Sequence, residues 1–366
     1  MTDAAPLTVR LADTLLARYP DPDSFPFRSW CYSQGYVLIG MLKAWRATGD
    51  ARYLAWVQRY VDKHVTLDGG IPAFRGDSLD DIMTGSVICE MFAITGEERF
   101  RRAARTIYDS MADYPRNTDG GFWHGRHLPG QMWIDGVFMG GVFLIRYGDN
   151  IADREACFDE MARQIVSLAE HCRQPGTGLF LHGYDESRQA SWADPVTGLS
   201  SEVWSEGLGW YALILVEALE RWPEGHAGRA PVQAILEELL DGLLRAQDPE
   251  SGLWFQVVDR GDRGDNWCDS SGSAMFVYTL QRAGELGIGD AEQCAAAARR
   301  GYAGLQPRIT PGEGGGVDVH VACDGLGVQD SYQAYIDFPQ RTNAKEAVGG
   351  VLWAATIMDA AGRANV

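Results

Sequence analysis

The 366-residue sequence predicts an all-α fold, an (α/α)6 barrel of six helical hairpins forming one domain over 1–366. Three observations carry this reading. Apolar residues recur at helical spacing along most of the chain. Two junctions, ATGDARYLA and ITGEERFRR, repeat one another in character and place Gly49 and Gly96 47 residues apart. A period of about 40 to 50 residues marks a repeat architecture of helical pairs. Finally, apolar helices alternate with charged ones, as an inner and an outer ring require.

Taken in order, the first helix is expected at 7–18 and the second at 31–48, where Tyr32, Tyr36, Ile39 and Leu42 stand three and four apart. Gly49-Asp50 breaks it from 51–65, which ends at the turn Asp68-Gly69-Gly70. Helices 79–95 and 97–113 repeat the pattern about Gly96-Glu97, and the second again ends in Asp-Gly-Gly, at 119–121. Helices follow at 131–147, 151–172, 200–220 and 230–246, with glycine turns at 176–180 and 250–254. The last are 270–286, 290–304 and 343–361, and the Gly-rich stretch 306–330 is expected to be a long loop on one face. The segments 131–145, 204–216 and 271–282 are apolar with small residues, the composition of inner helices packed on all sides. Segments 97–113 and 153–170 are rich in Arg and Glu, as an outer ring should be. This choice favours a closed toroid over an open solenoid.

Composition excludes several functions. With 32 basic and 50 acidic residues the formal charge is −18, which opposes nucleic acid and anionic lipid. An aromatic share of 11% rules out a disordered chain. No apolar run approaches the roughly 18 residues of a membrane helix. Seven cysteines, an odd number with no CxxC pair, fit scattered thiols in a reducing compartment better than a disulfide framework. Met1–Arg10 has no apolar signal region, so a cytoplasmic location is expected. No Walker, GxSxG or GxGxxG motif occurs where it would carry chemistry.

Carboxylates and aromatics concentrate at the starts of the apolar helices. Asp135 opens one of them, flanked by Trp133, Ile134, Val137 and Phe138. Desolvation there is expected to raise its pKa and suit it to general acid catalysis. The alternative is a first-turn Asp satisfying helix amides. Asp80 and Asp81 open 79–95; either can be the second carboxylate of a pair, or a favourable charge at a helix N-terminus. His124, His127 and His182 lie in Gly-rich or aromatic loops without the spacing of a metal motif, so hydrogen bonds to a sugar fit them better than metal ligation. Trp123, Trp133, Trp204 and Trp210 cluster with polar residues and can stack on sugar rings, whereas Trp45, Trp56 and Trp222 read as core.

The block GGFWHGRHLPGQMWIDGVFMGG at 120–141 resembles the central motif of glycoside hydrolase family 105, the unsaturated rhamnogalacturonyl hydrolases. It is similar, more distantly, to the unsaturated glucuronyl hydrolases of family 88. SLDDIMTG (78–85), LFLHGYDES (179–187), SSEVWSEGLGWY (200–211), SSGSAMF (270–276) and DGLGVQDSY (324–332) follow in the family's order, so the resemblance covers about 30 to 355. It implies an (α/α)6 barrel that removes a 4,5-unsaturated uronic acid from the non-reducing end of lyase-made oligosaccharides. A carboxylic acid protonates C4, water adds at C5, and the resulting hemiketal collapses to release the aglycone. By the same resemblance Asp135 is the acid/base and Asp80 the second essential carboxylate. Trp133, His182, Trp204 and Trp210 match substrate-contacting positions, with His124 and Gln131 in the motif. No metal or organic cofactor is implied. The resemblance also implies an Arg between the two tryptophans of WxRxxGW; here Glu206 stands in its place. Either Glu206 points away, another cation (Arg126, Arg188 or Arg341) serves, or the substrate differs.

Two other functions fit a barrel of this kind. A sugar epimerase would use a pair of histidines as bases, such as His124 or His127 with His182. A non-catalytic oligosaccharide-binding barrel would tolerate Glu206 more easily.

Overall fold

The computed structural model describes residues 5–24, 30–223 and 225–364. Twelve helical segments match the expected order, and a thirteenth, the short α13 (Tyr332–Ile336), was not expected from the sequence. These are α1 (Leu7–Arg18), α2 (Tyr32–Thr48), α3 (Ala51–His64), α4 with α5 (Leu79–Met83, Gly85–Thr95), α6 (Glu98–Asp109) and α7 (Ile134–Asn150). After them come α8 (Arg154–Cys172), α9 (Ser205–Arg221), α10 (Arg229–Ala246), α11 (Ser270–Glu285), α12 (Ala291–Leu305), a short α13 (Tyr332–Ile336) and α14 (Lys345–Ala364).

The inner helices close a ring. α2 packs on α4 and α5, these on α7, then α9, α11 and α14, and α14 returns to α2. Closure makes the architecture an (α/α)6 barrel and not a solenoid. α7 is buried from Ile134 to Gly148 and α9 from Ser205 to Leu219, which is why neither sequence shows a polar stripe. The outer helices bury one face each. In α6 that face is Phe100, Ala103, Ala104 and Ile107, and each large side chain so buried contributes about 1.5–3 kcal/mol. The repeated Gly49 and Gly96 end α2 and α5 in the left-handed conformation, at φ 75° and 68°, where a side chain would be strained.

Four boundaries depart from expectation. The helix expected at 79–95 is broken at Thr84, whose Oγ1 donates to the Cys31 carbonyl. The helix expected at 131–147 starts late: Gln131–Trp133 is a strand, β1, paired antiparallel with β4 (Gly183–Asp185). Residues 200–204 are extended, with Trp204 bridged to Val257, so α9 starts at Ser205. The segment 110–113 leaves the helix as a turn. Two further small hairpins, β2–β3 (Arg173–Gln174, Leu179–Phe180) and β5–β6 (Ile309–Pro311, Val317–Val319), went unforeseen in the loops. No helix among the described residues is long and apolar enough to cross a membrane.

Candidate active site

The inner helices all begin at one end of the barrel, and their opening residues build the site. The first residue of α2 is Tyr32; the second residues of α4, α7, α9, α11 and α14 are Asp80, Asp135, Glu206, Ser271 and Glu346. A carboxylate in a first turn is favoured by the helix dipole and by unsatisfied amides. The first-turn reading and the site reading of these acids therefore coincide. A cavity of about 220 Å³ opens here, lined by Tyr32, Asp80, His124, Asp135 and Glu206, by Trp133, Trp204 and Trp210, and by Gly325–Gly327.

Asp135 is 8% exposed and stands between two imidazoles. His124 Nδ1 lies 3.6 Å from its Oδ2, and His182 Nε2 lies 3.6 Å from its Oδ1. Burial pushes the Asp135 carboxyl up, but His124 and His182 outweigh it and hold the group below its usual range. The expectation of a raised pKa was wrong for this reason: the apolar flanks were legible, the two histidines brought in from other segments were not. His182 is fully buried, which lowers its own pKa, and its Nδ1 meets the Tyr335 hydroxyl at 2.7 Å. The Asp135 carboxylate facing Nε2 favours the Nε2–H tautomer, and Nδ1 then accepts the Tyr335 hydroxyl.

His124 is held by its amide on the Gln131 carbonyl, 2.7 Å, and lies flat on Trp133, with ring centres 4.3 Å apart. Gly136 makes room for it: a Cβ there would sit 2.9 Å from Nδ1. The other ring nitrogen, Nε2, points to Asp80 Oδ1 at 3.8 Å. Asp80, His124 and Asp135 offer atoms within 4.8 Å of one another, a set that could take a cation. His124 turns a different nitrogen to each carboxylate, Nδ1 to Asp135 and Nε2 to Asp80, at distances longer than a hydrogen bond.

The remaining sequence candidates fall into three groups. Trp133, Trp204 and Trp210 line the cavity, although Trp210 is also packed into an aromatic layer with Tyr36 and Phe138, at 4.5 and 4.9 Å. Gln131 and His182 stand behind the cavity: Gln131 Oε1 accepts from Trp133 Nε1 at 3.1 Å, and His182 backs Asp135, so neither forms its lining. Asp81, Trp123 and His127 are outside the cavity lining; Asp81 accepts the Asp77 amide and gives its carbonyl to Trp30. None of Arg126, Arg188 and Arg341 lines the cavity, whereas Glu206 does. Sequence reasoning missed Tyr32, Ser271, Tyr335 and Glu346. Three of them had a signal, the recurring first or second position of an apolar helix.

The sequence model of Glycosyl Hydrolase Family 88 matches residues 7–360. Protein Atu3128 of Agrobacterium fabrum is 37% identical over 167 residues, 46% of this chain and 70% of that protein. The unsaturated rhamnogalacturonyl hydrolase YesR of Bacillus subtilis is 27% identical over 268 residues, 70% of this chain and 72% of that one. A solved family 105 glycoside hydrolase from C. acetobutylicum superposes with a TM-score of 0.90 at 29% identity, covering 96% of this chain and 99% of that one. With its closed helical ring and a carboxylate-lined cavity at the helix N-termini, the chain belongs to glycosyl hydrolase family 88.

Proposed function

We propose that the chain removes a 4,5-unsaturated uronic acid from the non-reducing end of lyase-generated oligosaccharides, by hydrating the C4=C5 bond. The observation that carries this is Asp135, a buried carboxylate in the cavity lining with an imidazole on each side. The two imidazoles favour its ionised form before substrate binds. A bound uronate adds negative charge and displaces water, and both raise the proton affinity of Asp135. Asp135 then gives its proton to C4, takes one from the water that attacks C5, and returns to its acid form. The C5 hemiketal opens and the aglycone leaves. Asp80 holds the outer face of His124 and meets the sugar hydroxyls. Trp133 and Trp204 flank the ring, while Gln131, His182 and Tyr335 position the groups that touch it. None of these steps draws on a metal or organic cofactor.

We further propose that residues 1–366 act as one catalytic domain, and that it works in the cytoplasm on small imported oligosaccharides. All seven cysteines are free and buried, as a reducing compartment allows. An epimerase would need two imidazoles at the substrate, and His182 is behind Asp135 instead. The test is the ultraviolet absorbance of the conjugated C4=C5 bond. A panel of rhamnogalacturonan-, galacturonan-, glycosaminoglycan- and ulvan-derived disaccharides would be offered. Decay with at least one is expected; no decay with any, alongside isomer interconversion or binding alone, would overturn the reading.

A further inference from the structure

Glu206 is a buried acid in the cavity lining that this reaction does not use. It is 1% exposed. The charged and titratable groups around it come from every neighbouring element. Tyr32 and Tyr36 come from α2, Asp269 and Ser271 from the start of α11, Lys345 and Glu346 from α14, and Cys323 and Asp324 from the preceding loop. Asp80 and Asp135 share the cavity with it. The nearby cation, Lys345, is committed: its Nζ lies 2.9 Å from Glu346 Oε1 and 3.1 Å from the Asp324 carbonyl.

Counting protons assigns the state of each acid. Asp269 caps α11, accepting the amides of Ser271 and Gly272 at 3.2 and 2.7 Å and that of Cys323 at 2.9 Å; burial pushes its carboxyl up as well, but three amide donors favour the charged form, so it is the ionised partner. Ser271 has a single hydroxyl proton and two carboxyl contacts, 2.6 Å to Asp269 Oδ2 and 2.8 Å to Glu206 Oε2. That proton goes to Asp269, so the Glu206 contact requires a proton on Glu206. Burial pushes Glu346 up as well, but its Oε1 accepts from the Tyr32 hydroxyl at 2.5 Å and pairs with Lys345 at 2.9 Å, contacts that need no proton on it.

We propose that Glu206 is a neutral carboxylic acid in the substrate cavity, donating through Oε2 to Ser271 and accepting a substrate hydroxyl on Oε1. The site then reads an uncharged, hydroxyl-bearing position of the sugar at the place where the family resemblance led us to expect a cation. Burial, with Glu346 and Asp269 close by, drives Glu206 in the same direction. A neutral acid there also leaves the uronate unrepelled. This inference rests on the hydrolase reading for its ligand, but not for its protonation state.

Infrared difference spectra of the wild type against E206Q at pH 7 test it. The C=O stretch of a protonated carboxylic acid is expected in the wild type, absent in E206Q and moved in frequency by S271A, which removes the hydrogen-bond acceptor. Loss of carboxylate bands alone in E206Q would overturn the proposal. Should E206Q fold poorly, a wild-type glutamate carboxyl carbon resonance that stays at the protonated position at pH 7 supports it, and none at that position overturns it. E206A is expected to raise KM about tenfold, as loss of one buried hydrogen bond does, with kcat changed less than threefold. An unchanged KM would overturn the binding role. Failure of the infrared result counts against this proposal alone, whereas turnover of no unsaturated uronide counts against the hydrolase reading.

Discussion

The inner helices carry charge into the barrel at both ends, and the two ends are wired in opposite ways. Towards the helix C-termini, Glu217 meets Lys43 at 2.8 Å, Arg146 at 2.7 Å and the Tyr278 hydroxyl at 2.7 Å; Arg146 also binds Glu90 at 3.0 Å, and Arg46 closes the set. Every acid there has a cation. At the N-termini, the buried acids Asp135, Glu206 and Glu346 share two histidines and Lys345. The aromatic layer of Tyr36, Phe138, Trp210 and Trp353 lies between, with Lys43 4.4 Å from the Trp353 ring. Burial pushes both sets of acids up. Lys43, Arg221 and Arg146 overcome it at Glu217, which is held well below its ordinary 4.5, while Glu206 stays well above. Buried charge that is fully paired locks the ring; buried charge left short of partners is where protons can be moved.

The largest expected effect breaks the open end. D135N should lower kcat by about 10²- to 10⁴-fold, because the proton source is gone, with the melting temperature little changed. Steady-state kinetics beside thermal melts check both halves. The paired end should respond the other way round. E217Q leaves Lys43 and Arg146 buried with a lost counter-charge, and is expected to cost about 3–5 kcal/mol in denaturant unfolding while the folded fraction keeps its kcat. A large kcat loss with unchanged stability would erase the distinction between the ends.

Much of this contrast was readable beforehand. The hairpin order, the ring of apolar helices and Asp135 at the head of one of them follow from spacing and composition. The partners did not. Asp135 meets His182 only because β1 pairs with β4, and a three-residue strand inside an apolar run cannot be told from a helix by periodicity. Glu206 and Glu346 are neighbours only because the ring closes, so their mutual effect has no local signature. The pKa expectation for Asp135 failed at this step, since burial was legible and the neighbouring imidazoles were not.

Two smaller effects sharpen the comparison. Y335F removes the hydroxyl that donates to His182 Nδ1; losing about 1 kcal/mol there should lower kcat about fivefold and leave KM near its wild-type value. The pH dependence of stability should differ in sign between the ends. Glu206 binds its proton more tightly folded than unfolded, so its contribution falls as pH rises above the ordinary 4.5 toward its folded value. Glu217 is depressed, so its contribution is full above 4.5 and is lost as pH falls through its folded value. E206Q should therefore gain melting temperature on the wild type at pH 8 relative to pH 5, and E217Q should lose less on acidification. Parallel melting curves for all three proteins would contradict this.

The most direct test of the central claim is the fate of a solvent proton. An unsaturated disaccharide substrate would be turned over in D2O and the early product read by NMR, before enolisation scrambles C4. The expected result is a lost double bond with one deuterium on a single face of C4, delivered from Asp135. Release of an uronic acid with its double bond intact and no deuterium at C4 would contradict the account.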